Sequence, residues 1–159
     1  MVILAERPRP SVLLILRPDS LGAHAGQIAC PGGRLERGRD ANLLAAALRE
    51  TEEEVGVRVP MDHVLGFLDP IHIRVTGYTL LPVVSGFRDR PPVTPEVAEV
   101  SDYAWVTLAE LSQVRQERPR DFSGVTRTLA EFPIGLGTLW GATARIIDQL
   151  LQQLAQKGA

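Results

Sequence analysis

Apolar and polar positions change rhythm along the chain, and each rhythm predicts an element. Ser11–Arg17, SVLLILR, is an almost unbroken apolar run that stops at Arg17-Pro18, which predicts a buried strand. Gln27–Cys30 predicts a short extended segment leading into a tight turn at Pro31-Gly32-Gly33. The spacing then becomes helical from Ala41 to about Val55, with Asp40 as N-cap and Gly56 as the C-terminal stop. Val64–Leu68, Ile71–Val75 and Tyr78–Ser85 predict strands, with Thr76-Gly77 as a hairpin turn. Arg88–Pro95 holds three prolines and reads as a loop, and Tyr103–Val106 as a short strand. Thr107 and Glu110 form a capping-box pattern for a helix over Thr107–Gln113. Arg115–Pro133 reads as a long polar connection rich in arginine. Thr138–Gln156 predicts a terminal helix with Leu139, Ala142, Ile146, Leu150 and Leu154 along its apolar stripe. Strands and helices interleave without strict βαβ alternation, which predicts an α/β fold with a mixed sheet flanked by helices.

The helix over Ala41–Val55 carries a conflict of charge in Arg49–Gly56, RETEEEVG. At 100° per residue, Glu50, Glu53 and Glu54 fall within about a 100° arc, and Glu52 points away. Leu44, Leu48, Thr51 and Val55 share a different face, the expected core stripe. Carboxylates three and four residues apart repel by a few tenths of a kcal/mol per pair. Arg49 offsets part of this. A hard divalent cation such as Mg²⁺ or Mn²⁺, held by oxygen ligands, supplies the remaining positive charge. A charge run of this kind also suits a solvated helix face.

Composition narrows the setting. The chain has 159 residues, enough for one domain over 1–159, and a net charge of −2, which gives no pointer to nucleic acid. No apolar stretch approaches membrane-spanning length, and MVILAERPRP has too short an apolar run for a signal peptide, so a cytoplasmic protein is expected. The oligomeric state is not legible. Lys157 is the only lysine; the remaining basic residues are arginines, which suit phosphate, though compositional bias accounts for them equally.

Other chemistries fit less well. Cys30 is the only cysteine and shares no ligand spacing with His24, His63 or His72, which argues against zinc. Gly135-Leu136-Gly137 lacks its third glycine in register, since Gly141 comes one residue late for a dinucleotide loop. Ser85-Gly86 lacks the flanking glycine of a nucleophile elbow. His24 reads as a turn residue and Trp140 as core. Arg34 directly follows the glycine turn and is the favoured phosphate contact, ahead of Arg115, Arg118, Arg120 and Arg127.

Arg49-Glu50-Thr51-Glu52-Glu53-Glu54-Val55-Gly56-Val57 resembles the second half of the Nudix hydrolase signature, with Thr51 at an aliphatic position. The first half departs. Gly33 lies sixteen positions before Arg49, two more than the signature has, and the expected glutamate position is Ala41; Asp40 and Glu36 are the nearby acids. The segments His24–Arg34, Glu96–Val100 with Trp105-Val106, and Leu139–Ile146 look like the coenzyme A pyrophosphatase branch, although Cys30 replaces an aromatic residue and Leu21-Gly22 lie near the place of an arginine pair. The resemblance implies an α/β/α sandwich and hydrolysis of a nucleoside diphosphate linked to another group, most closely coenzyme A. It implies Glu50 and Glu54 as metal ligands, Glu53 as a third ligand or water-positioning group, and the Gly32 carbonyl in the same sphere. Arg49 holds Glu53, and either Glu96 or Glu99 joins the site. A different nucleotide substrate, or a non-catalytic binding module on the same fold, are the competing readings.

Overall fold

The computed structural model describes residues 1–20, 25–73, 77–122 and 124–157. His24, Leu21-Gly22 and Thr76 lie outside the described residues. A mixed sheet forms the centre of the fold. Its strands are β1 (Val2–Arg7), β2 (Ser11–Leu16), β3 (Ile28–Ala29), β4 (Val64–Phe67), β7 (Val83–Asp89) and β8 (Asp102–Thr107). The order is β3-β2-β1-β7-β4, with β8 on the other edge of β2. β1 pairs parallel with β7, and the other pairings of this sheet are antiparallel. β1 and β3 share one edge of β2: β1 pairs at Val12 and Ser11, and β3 pairs at Ile15 and Leu16. This places the chain leaving β3 beside the start of β1, at the end of the sheet where the glycine turn sits.

Burial on both faces explains why the central strands lack a clean apolar–polar alternation. Val2, Val12, Leu14 and Val84 face one core, with Phe132, Leu139 and Ile147. Ile3, Leu13, Ile15 and Val83 face the other, with Val55 and the flanking Leu44 and Leu48. Each fully buried Leu, Ile or Phe contributes about 1.5–3 kcal/mol. Helix α1 (Leu43–Val55) covers the second face. Helix α3 (Gly141–Lys157) covers the first, with α2 (Leu108–Val114) contributing Leu111 to the same core. The result is the expected α/β/α sandwich.

Several expected boundaries move. Tyr78–Ser85 is broken at Leu81-Pro82 into β6 (Tyr78–Leu80), which pairs with β5 (Ile71–Ile73), and β7. Pro82 has no N–H to give a ladder, and its carbonyl accepts from Leu68 N at 3.0 Å. Arg115–Pro133 is mostly sheet: β9 (Gln116–Phe122) and β10 (Val125–Ile134) form a hairpin, joined by β11 (Gly137–Leu139). Exposed residues on both sides of the hairpin near its tip conceal the strand pattern. The terminal helix starts at Gly141 and not at Thr138. Leu139 belongs to β11, Leu154 is exposed, and the buried stripe runs through Ala144, Ile147 and Leu150.

Candidate active site

The site is assembled where α1 meets the turn after β3. Asn42, and not Asp40, is the N-cap of α1: its side chain accepts from Ala45 N at 2.9 Å. Asp40 is thereby left for a different task. Its two oxygens accept from Arg49 Nε and Nη2, both at 2.9 Å, and Oδ2 also accepts from Glu36 N at 2.8 Å. This fork-on-fork pair fixes the guanidinium plane. The Arg49 pairing, aided by the Glu36 N–H, pulls the Asp40 carboxyl down to about 2. Of the two nearby acids, Asp40 is the one that grips Arg49 in a fork, while Glu36 Oε1 stands 3.8 Å from Arg49 Nη1.

Arg49 then reaches further groups around the turn. Nη1 lies 2.8 Å from Glu50 Oε1 and 2.7 Å from Glu53 Oε2, and Nη2 donates to the Arg34 carbonyl at 3.2 Å. The expected i,i+4 pair with Glu53 is therefore present. Glu53 is also held by Arg39. The carboxylates are consequently offset by more arginine than RETEEEVG itself contains.

Glu54 occupies the centre. It is 1% exposed. Its Oε2 accepts from Gly32 N at 2.8 Å and its Oε1 from Arg17 Nη2 at 3.1 Å. Burial pushes the carboxyl above its ordinary range; Gly32 and Arg17 pull it back, and the neighbouring charges of Glu99 and Glu50 push it up again. Gly32 has φ 142°, a conformation that L side chains rarely adopt. It meets the helix through its N–H to Glu54. Gly33 is required for a different reason. A Cβ there would stand 2.2 Å from Glu50 Cδ, so the Glu50 carboxylate lies directly over the turn.

The segment after β7 is fastened to the end of α1. Gly56 caps the helix at φ 67°, Thr94 N donates to Val55 O, and Glu96 N donates to Glu54 O, each of the last two at 2.9 Å. Of the two acids on this segment, Glu99 acts electrostatically on Glu54, whereas Glu96 Oε1 accepts from Ala98 N within its own turn. Glu52 points to solvent, as its helical angle requires. Thr51 is fully buried and donates to the Ala47 carbonyl at 2.7 Å, which satisfies its hydroxyl at an otherwise aliphatic position. Arg34 is exposed, with its guanidinium 4.5 Å over the Tyr78 ring. Burial pushes the Cys30 thiol up to about 11, so it stays protonated.

Arg17 is the site residue that sequence reasoning missed. Its only signal was its place as the last polar residue of a buried strand. Among the described residues no three acidic, histidine or cysteine side chains stand in a ready metal cage. The donor chemistry nonetheless fits a hard divalent cation: a buried carboxylate with two further acids acting on it favours added positive charge.

The sequence model of the NUDIX domain matches residues 1–127. The chain is 35% identical over 162 residues to the uncharacterized Nudix hydrolase NudL of Salmonella newport (strain SL254), covering 99% of this chain and 82% of the relative. Its fold is similar to the NUDIX domain of Shewanella oneidensis NrtR solved with ADP ribose, at TM-score 0.63 and 21% identity, covering 96% of this chain and 84% of that one. It is also similar to a C. elegans Ap4A hydrolase, at TM-score 0.54 and 17% identity, covering 68% and 77%. The match over the strand, glycine turn and carboxylate helix that build the site places this chain in the Nudix hydrolase family.

Proposed function

We propose that the chain hydrolyses a nucleoside diphosphate linked to another group, and that its substrate is coenzyme A or a derivative, cut to 3′,5′-ADP and 4′-phosphopantetheine. The observation that carries the chemistry is the buried Glu54, fixed by Gly32 N–H and Arg17 and acted on by Glu50 and Glu99. Nudix hydrolases generally work with a divalent metal, and Mg²⁺ or Mn²⁺ is the cation that these oxygens suit. Glu50, Glu54 and Glu99 would hold it. Such a cation supplies Lewis acidity toward a diphosphate. Glu53, exposed and oriented by Arg49, is the group that accepts the hydrogen bond of the attacking water. Water adds at one phosphorus, the bridging P–O bond breaks with its electron pair leaving on the second phosphate, and the water's proton passes to solvent. Arg34, beside the turn, is the phosphate contact of choice.

The substrate assignment is supported by the segments His24–Arg34, Glu96–Val100 with Trp105-Val106, and Leu139–Ile146, which look like the coenzyme A pyrophosphatase branch. ADP-ribose and dinucleoside polyphosphates are the second reading, since one protein of similar fold was solved with ADP ribose and another is an Ap4A hydrolase. A hydrolysis panel with Mg²⁺ or Mn²⁺ over coenzyme A, ADP-ribose, dinucleoside polyphosphates and nucleoside triphosphates separates them. The expected result is the highest kcat/KM on coenzyme A. Faster cleavage of ADP-ribose overturns the substrate while keeping the chemistry.

A further inference from the structure

Trp140 was expected in the core, yet it is 42% exposed. It follows β11, whose Leu139 sits opposite Phe132 in β10, and Arg120, which bonds Glu131, lies over its ring, so Trp140 falls on the same side as Glu131. Residues directly opposite in an antiparallel pair share a face. Arg120 sits opposite Arg127, and Arg118 opposite Leu129. The alternate residues of β10, Phe132 and Ile134, enter the core. The outward face of this small sheet therefore carries Trp140, Glu131, Arg118, Arg120 and Arg127.

These groups are arranged and not merely adjacent. Glu131 is only 7% exposed and accepts from Arg120 Nε at 2.7 Å. That pair holds the Arg120 guanidinium 5.5 Å from the Trp140 ring centroid, a cation–π distance. Arg118 and Arg127 are exposed and have no carboxylate partner among the described residues. Three guanidinium groups face one carboxylate, already taken, in a chain whose net charge is −2. An exposed indole and two guanidinium groups without a carboxylate partner, on one face of a small sheet, complement a base carrying a phosphate monoester. The patch is a few residues across, too short for the long positive stripe that a nucleic acid strand requires. One backbone link runs from this sheet toward the site. Gly137 of β11 approaches β3, with Ile28 Cδ1 3.8 Å from the position of a Cβ there, and β3 leads to the turn that meets Glu50 and Glu54.

We propose that this face binds the phosphorylated adenosine end of the substrate: the base stacks on Trp140, and Arg118 and Arg127 take the 3′-phosphate. The proposal rests on the coenzyme A reading, and its test is built to fail separately from it. Binding of adenosine 3′,5′-bisphosphate and of 5′-AMP is measured by calorimetry on the whole protein in EDTA, where no hydrolysis is involved. The double variant Arg118→Ala/Arg127→Ala should weaken the bisphosphate at least about tenfold and leave 5′-AMP within about twofold. Trp140→Ala should weaken both ligands, and Trp140→Phe should restore most of the affinity. On coenzyme A the double variant should raise KM and leave kcat nearly unchanged. Unchanged bisphosphate affinity in the double variant overturns the proposal, as does loss of the 3′-phosphate preference in Arg34→Ala instead. If the hydrolysis panel shows no coenzyme A cleavage while the binding losses appear as stated, the substrate reading fails and the binding face stands.

Discussion

Glu54 and Thr51 sit on the same helix and illustrate two answers to burying a polar side chain. Glu54 is a charged group kept under strain of desolvation, with one N–H and one guanidinium as compensation. Glu54→Gln keeps the size and the acceptor for Gly32 N while removing the charge. Turnover should fall on the order of a hundredfold or more, since a metal-holding group is lost. The metal-free variant should melt at or above the wild-type temperature, because the repulsion with Glu50 and Glu99 is relieved. Near-wild-type turnover at saturating Mg²⁺ would remove Glu54 from the mechanism. Thr51 has no such task. Its hydroxyl donates to Ala47 O, a carbonyl that already serves the helix, so that bond contributes little. Thr51→Val places a methyl in the same buried volume and should stabilise the protein by about 0.5–1 kcal/mol in urea unfolding. A loss of stability of that size would mean the hydroxyl bond matters more than the burial.

At the scale of elements, the site depends on two segments being tied to α1. The glycine turn comes first. A Cβ at Gly33 would meet the far end of the Glu50 side chain, which can swing away, and not backbone. Gly33→Ala should therefore cost little in melting temperature and much in activity, with weaker apparent metal affinity in a Mg²⁺ titration. Equal losses in both would show that the turn itself refolds. The segment from Glu36 to Asp40 comes second. Asp40 is held at about 2 against an ordinary 3.8, chiefly by Arg49. A depressed carboxyl stabilises the fold above its ordinary value and loses that contribution as pH falls through the folded value. The gap in stability between wild type and Asp40→Asn should be largest above about pH 4 and close as pH approaches about 2. Thermal unfolding across that range measures it; a gap independent of pH would mean the pair with Arg49 is not what stabilises the segment.

For the molecule as a whole, metal binding is the link between site and stability. A ligand that binds only the folded state at a hundred times its Kd adds about 2.7 kcal/mol. For a domain of this length that is a rise of roughly 5–10 °C in Tm. Mg²⁺ or Mn²⁺ should produce it in the wild type and not in Glu54→Gln. No shift at millimolar metal in the wild type would count against a metal held at this face. The sandwich makes such coupling possible, because α1, the turn after β3 and the segment at Thr94–Glu96 come from three separate parts of the chain.

Much of this was legible in one dimension. The apolar run of β2, the helical spacing of α1 and the Gly56 stop are local signals, set by backbone sterics and side-chain periodicity, and they survive in the fold. The shared face of Glu50, Glu53 and Glu54 follows from helix geometry alone. Position in the sheet did not follow. MVILAERPRP gave no sign that Val2–Arg7 would become a central strand, since its place depends on pairing with β7 across some eighty residues of chain. The arginine-rich stretch became a hairpin because only one of its faces near the base meets a core, which no local pattern reveals. The choice of Asp40 as the partner of Arg49 and the arrival of Arg17 at Glu54 were likewise tertiary decisions. Each depends on which distant segment fills the space beside a buried charge, and the sequence determines the charge while only the packed fold determines its neighbour.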